Sequence, residues 1–194
     1  MLNTDTRSRI LDTAQRLAQQ RGFNAFSYAD VATEVGVRKA SIHHHFPSKD
    51  DLELALVQRY SQGFDQQLVR IDQQCAASAA SAADRLREYG LLYRATLQAG
   101  AVCLCGMMAS DIAALPELLR APLRAFFLRQ AQWLAQVLEA GRQSGEFVFF
   151  GPPMRRAHAL LATLQGGLIV AHATRDLGLF DALLDDVLTS VGHR

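Results

Sequence analysis

Two short stretches of helical periodicity, separated by a single glycine, constrain this chain more than any other feature. Ser27-Tyr28-Ala29-Asp30 has the form of a capping box, with Ser27 accepting from the helix start and Asp30 reaching back. It opens a short helix that buries Val31, Ala32 and Val35. Gly36 ends that helix, Val37 and Arg38 make the turn, and a third helix follows from Lys39 to Phe46. Upstream, Ile10, Ala14, Leu17 and Ala18 fall on one face of a first helix. Gly22 is expected to stop that helix in a left-handed cap. Pro47-Ser48 breaks the chain again. Ser48 and Asp51 then form a second capping box, opening a long helix through Leu52, Leu56, Tyr60 and Phe64. Three short helices with a tight glycine turn between the second and third are a helix-turn-helix unit.

The remaining chain is also helical in period. Helices are expected over Leu86–Leu97, Cys103–Ile112, Leu123–Arg142 (after interruptions at Pro116 and Pro122), Pro153–Thr174 and Phe180–Val191. The fold class is therefore all-α, with about nine helices. Phe147-Val148-Phe149-Phe150 is the one β-like run. With 194 residues, 49% of them hydrophobic, the chain can bury a substantial core, which excludes wholesale disorder. The division expected is a helix-turn-helix domain over 1–50 and a larger helical domain over 51–194.

Charge points to the same end of the molecule. The net charge is only +1, but residues 1–50 hold seven Lys/Arg against five acids. Both lysines of the chain, Lys39 and Lys49, lie there, and three of its six histidines stand between them. If a polyanion binds this chain, it binds at this stretch. Three cysteines with no framework spacing fit free thiols in a reducing compartment. The N-terminus has no signal-peptide pattern, and the most apolar stretch, Leu160 to Ala173, is too polar and short for a membrane span. The expected location is the cytoplasm.

The run Gly36-Val37-Arg38-Lys39-Ala40-Ser41-Ile42-His43-His44-His45-Phe46-Pro47-Ser48-Lys49, with Phe26-Ser27-Tyr28-Ala29-Asp30-Val31-Ala32 before it, resembles the TetR/AcrR family of transcriptional regulators. The spacing matches over residues 8–56. Two positions differ: His43 stands at the family's usual tyrosine, and Arg38 at its usual capping serine or threonine. The resemblance implies a homodimeric regulator, most often a repressor, that binds a palindromic operator in double-stranded DNA and leaves it when a small apolar inducer binds. It assigns DNA binding to the domain over 1–50, and ligand binding with dimerisation to the domain over 51–194. It implies no enzyme activity and no cofactor.

On this reading Ile42 and Phe46 face the core, and the third helix lays its other side in the major groove. The DNA-contacting residues are then Ser27, Tyr28, Arg38, Lys39, Ala40, Ser41, His43, His44, His45 and Lys49. Arg38 and Lys39 reach phosphates or a guanine edge, and Ala40 a thymine methyl. Lys49 adds a cation at a helix N-terminus suited to phosphate. Consecutive histidines on a helix point about 100° apart, so the triple histidine cannot converge on a metal. Candidate pocket residues are Tyr93, Cys103, Met107, Met108, Phe126, Phe127, Gln130 and Trp133. The dimer seam is expected along Leu161, Leu164, Gln165, Leu168 and His172, with Phe180, Leu183, Leu184 and Val187. Gly166-Gly167 would allow close backbone approach there. Two other readings compete: the same fold triggered by oxidation or electrophile modification of Cys103 or Cys105, and, from another class, a helical metal-binding protein or enzyme.

Overall fold

A computed structural model describes residues 2–113 and 115–191, with side chains from residue 5. The described residues form nine α-helices and one 3₁₀ turn, joined by short irregular segments: α1 (Leu2–Arg21), the 3₁₀ turn (Phe23–Ala25), α2 (Tyr28–Val35), α3 (Lys39–His45), α4 (Lys49–Ala77), α5 (Ala82–Gln98), α6 (Leu104–Ser110), α7 (Glu117–Gln143), α8 (Pro153–Thr174) and α9 (Leu177–Thr189). The Phe147–Phe150 run forms no strand. Its one ladder-like bond runs from Val148 N–H to the Val191 carbonyl, at 3.2 Å.

The helices divide into two compact units, Met1–Gln62 with Leu104–Arg124, and Gly63–Cys103 with Ala125–Arg194. In the first, Ile10, Ala14, Leu17 and Ala18 of α1 are almost fully buried, as are Val31, Val35, Ile42, Phe46, Leu52 and Leu56. Polar ties fix the helices around this core. Arg9 donates to the Val35 carbonyl at the end of α2, 2.5 Å away. Arg59 of α4 holds both Asp12 and Gln15 of α1, at 2.8 and 2.9 Å. Helix α6, far along the sequence, packs on α1.

The second unit is built on α5, α8 and α9, with parts of α4 and α7. Glycines permit its closest approaches. A Cβ on Gly90 would collide with Leu184 of α9, and one on Gly167 would stand 2.8 Å from Leu183. Arg94 of α5 grips Asp181 of α9 through two bonds of 2.6 and 3.0 Å.

Three boundaries depart from the sequence expectation. Pro122 does not precede α7 but lies inside it. It forfeits one bond, to the Leu118 carbonyl, and Leu118 is exposed, so water can take that carbonyl. Gly22 has the expected positive φ of 92° but a ψ of 151°, so it turns the chain extended instead of closing a left-handed cap. Helix α5 starts at Ala82 because Ser81 and Asp84 form a capping box at the end of the alanine/serine run.

Candidate nucleic-acid interface

Helix α3 is held from behind and open in front. Ile42 (0% exposed) and Phe46 (2%) anchor it to the first unit's core. Arg38, Lys39, Ala40, His43 and His44 are exposed, and Ser41 and His45 half-buried. The glycine turn works as the spacing requires: Gly36 is left-handed at φ 74°, ψ 38°, and the amides of Gly36 and Val37 both bond the Ala32 carbonyl at 3.0 Å. Arg38 occupies the N-cap of α3 without a side-chain cap bond, leaving its guanidinium in solvent. The three histidines fan round the helix end. His43 Nδ1 lies 3.4 Å from the Pro47 carbonyl, and the rings of His44 and His45 meet edge to face at 5.4 Å.

The two flanking helix starts are capped by their own side chains. Ser27 N–H and hydroxyl both donate to the Asp30 carboxylate at 2.7 Å. Ser48 does the same to Asp51, at 2.9 and 2.6 Å. These bonds hold both carboxyls below the usual aspartate range.

Tyr28 and Lys49 are more internal than the sequence suggests. Tyr28 is buried, and its hydroxyl lies 3.0 Å from the Phe46 carbonyl and 2.5 Å from that of Ser48. It thus pins the end of α3 and the start of α4 to α2. Burial, reinforced by Asp51, Asp50 and Glu53, pushes its phenol up to about 12. The Lys49 ammonium lies over the rings of Phe23 and Phe26, 4.9 and 5.8 Å from their centroids. Beside them stands Glu53, 5% exposed, with Oε2 unpartnered. Burial raises its carboxyl to about 7, opposed by Lys49 and reinforced by Asp50. Sequence reading passed over Glu53, although its place between Leu52 and Leu56 put it on the buried stripe of α4.

The candidate pocket residues fall in both units. Met107 and Met108 belong to the first, where they line a cavity. Tyr93, Cys103, Phe126, Phe127, Gln130 and Trp133 belong to the second. There, Gln130 (0% exposed) accepts from the phenols of Tyr89 and Tyr93, at 2.6 and 2.8 Å. Gln165 Nε2 donates to Tyr93 at 3.1 Å and to Cys103 Sγ at 3.4 Å. Aromatic rings wall this polar group. Trp133 stacks on Tyr89, Phe64 meets Phe126 edge-on, and the Trp133 indole N–H is fixed by Asp72 at 2.9 Å. Two atoms remain without partners, Gln130 Nε2 and Gln165 Oε1. Tyr89 was missed at the sequence level; its i, i+4 spacing to Tyr93 was the available signal. All three thiols are buried, and burial raises that of Cys75.

The residues expected at the dimer seam are mostly turned inward. Leu161, Leu164, Leu168, Phe180, Leu184 and Val187 are buried within the second unit, and Gln165, His172 and Leu183 are half-buried. The large apolar side chains that α8 leaves exposed include Ile169 and Val170, half-open to solvent, beside exposed Gly166.

A helix-turn-helix whose recognition helix is buttressed behind and open in front, within an all-α chain, defines a DNA-binding regulator. The comparisons place it further. Residues 10–56 match the family described as bacterial regulatory proteins, tetR family. The crystal structure of a TetR-family transcriptional regulator from Agrobacterium tumefaciens superposes with a TM-score of 0.92 at 33% identity, covering 98% of this chain and all of that one. A TetR regulator from Legionella pneumophila gives 0.84 at 29% identity, over 94% and 95% of the two chains. Among curated proteins, the HTH-type transcriptional repressor NemR of Escherichia coli K12 is 28% identical over 177 residues, 88% of this chain and 86% of NemR. The chain belongs to the TetR family of DNA-binding transcriptional regulators, which are not enzymes. No helix among the described residues is long and apolar enough to cross a membrane.

Proposed function

We propose that this protein works in the cytoplasm as a homodimeric repressor. Each copy of α3 enters one major groove of a palindromic operator, and a small, largely apolar molecule bound in the second unit releases it. The DNA contacts are those of the exposed face: Arg38, Lys39, Ala40, Ser41, His43, His44 and His45, with Ser27 and Lys49 at the flanking helix starts. Tyr28 serves mainly to position α3 and α4. The observation that carries the reading is the asymmetry of α3, buried at Ile42 and Phe46 and open from Arg38 to His44. Two such helices must sit one helical turn apart, about 34–36 Å, to read adjacent half-sites. An inducer that binds better to a dimer with another spacing shifts the population away from the operator.

For the inducer site, the support is the aromatic-walled group around Gln130. A buried amide with an unpartnered donor and a neighbouring amide with an unpartnered acceptor are costly unless something bonds them. An apolar molecule with one hydroxyl, which accepts as well as donates, answers both needs, whereas a carbonyl answers only that of Gln130 Nε2. For the seam, Ile169, Val170 and Gly166 are the candidates, with the earlier set acting from beneath.

The test is operator binding against salt. Lys39→Ala should weaken binding and flatten the log–log salt slope by roughly one unit, with the thermal transition unchanged. A wild-type protein that shows no preference for the promoter beside its own gene over random DNA would overturn the reading.

A further inference from the structure

The first unit contains a cavity that operator binding does not use. It has a volume of about 510 Å³ and lies between the end of α1, the 3₁₀ turn and α6, within the size range of small-molecule sites. Its apolar floor is made by Ala18, Phe23, Leu104 and Met108, all buried. Met107 stands beside the floor, and its flexible thioether adapts to different shapes. The mouth is polar and carries one side chain of each sign, Asp111 and Arg21. Asp111 already accepts from Asn24, at 3.3 Å. Arg21, in the last turn of α1, is exposed and has no ion pair or hydrogen bond among the described residues. A planar guanidinium at the edge of an apolar cavity matches a carboxylate carried on an apolar body.

We propose that this cavity is a second small-molecule site, separate from the Gln130 group, and that it takes a compact amphipathic monoanion: an alkyl or aryl carboxylate with its head on Arg21 and its body on Phe23 and Met108. Phe23 gives the site a route to the DNA face. The same ring lines the cavity and lies 4.9 Å from the Lys49 ammonium at the start of α4. A body seated on Phe23 restrains that ring and so alters the support it gives Lys49. This coupling rests on the operator-binding reading above, whereas binding itself does not.

The experiment uses the full chain and three probes of one length: octanoate, octanol and octyltrimethylammonium. Calorimetry should show octanoate binding one-to-one and more tightly than the other two. Arg21→Gln, an exposed change, should weaken octanoate roughly tenfold and leave octanol unaffected. Ala25→Phe, at an exposed lining position, should weaken both by obstructing the cavity. Absence of octanoate binding, binding indifferent to both substitutions, or tighter binding of the cation would each overturn the site. Octanoate should also lower operator affinity in wild type but not in Arg21→Gln. Octanoate bound at the site with operator affinity unchanged would overturn the coupling through Phe23. If the protein binds no operator at all, the earlier reading fails while calorimetry still decides the site.

Discussion

The hydroxyl of Tyr28 and the carbonyl of Phe46 lie 3.0 Å apart, and the same hydroxyl also reaches the carbonyl of Ser48. One phenolic proton thus joins the start of α2 to the break between α3 and α4. The break is where a recognition helix would otherwise fray, because Phe46 is already extended and Pro47 offers no amide.

Tyr28→Phe should cost about 1–2 kcal/mol of stability and leave the fold intact. The pH dependence has a definite sign. The phenol is raised from 10.0 to about 12, so the folded state favours the protonated form. Its contribution is complete below pH 10 and is lost as pH rises through 12. Denaturant titrations between pH 9 and 12 should show a fall in wild type that Tyr28→Phe reduces.

Glu53 gives a second pH signature at the opposite end of the scale. Burial raises its carboxyl from 4.5 to about 7, so folding takes up a proton between those values. Stability should therefore be highest below pH 4.5 as far as this group is concerned, decline as pH rises towards 7, and then level off. Glu53→Gln keeps the shape and removes the charge. It should flatten that decline and make the protein more stable than wild type at pH 8, as read by urea midpoints.

The outward face of α8 carries the prediction for association. Ile169→Asp or Val170→Asp should place an unpaired charge in a dry seam, at a cost of about 3 kcal/mol or more in association, and give a folded monomer by sedimentation. Leu164→Arg acts differently. Leu164 is 2% exposed within its own unit, so that change should lower the thermal midpoint before it touches the oligomeric state.

The thiols are all sheltered: Cys75, Cys103 and Cys105 are 4%, 2% and 0% exposed. Native protein should therefore react slowly with an aromatic disulfide reagent, and all three thiols should titrate promptly in urea. Fast native reaction at Cys103, abolished in Cys103→Ser, would instead favour a thiol trigger.

Much of the first unit was legible in the sequence because its signals are local. The Ser27/Asp30 and Ser48/Asp51 boxes, the glycine turn and the i, i+4 pair Ile42/Phe46 act within a few residues of one another. The interior of the second unit was less so. Inward and outward faces of α8 are both apolar, Leu164 and Leu168 on one side and Ile169 and Val170 on the other, so hydrophobicity alone could not say which face meets the same chain's α5 and α9. Gly167 decides it in the fold, by admitting Leu183. Pro122 misled for a related reason. Proline near a helix start costs only one bond when water can reach the orphaned carbonyl, and exposure is a tertiary property. The role of Lys49 was altered by Phe23 and Phe26, whose rings come back across the chain from more than twenty residues earlier.

The first unit is also discontinuous: its N-terminal residues end at Gln62, and the rest arrives only with Leu104–Arg124. During synthesis, α1 to α3 emerge well before α6, leaving the flank at Ala18 and Phe23 bare until some sixty further residues have been added. Closing that long loop is the slow, entropically costly step for this unit. A fragment truncated after α4 should therefore carry a sticky flank and tend to self-associate, even though every residue of its helix-turn-helix is present.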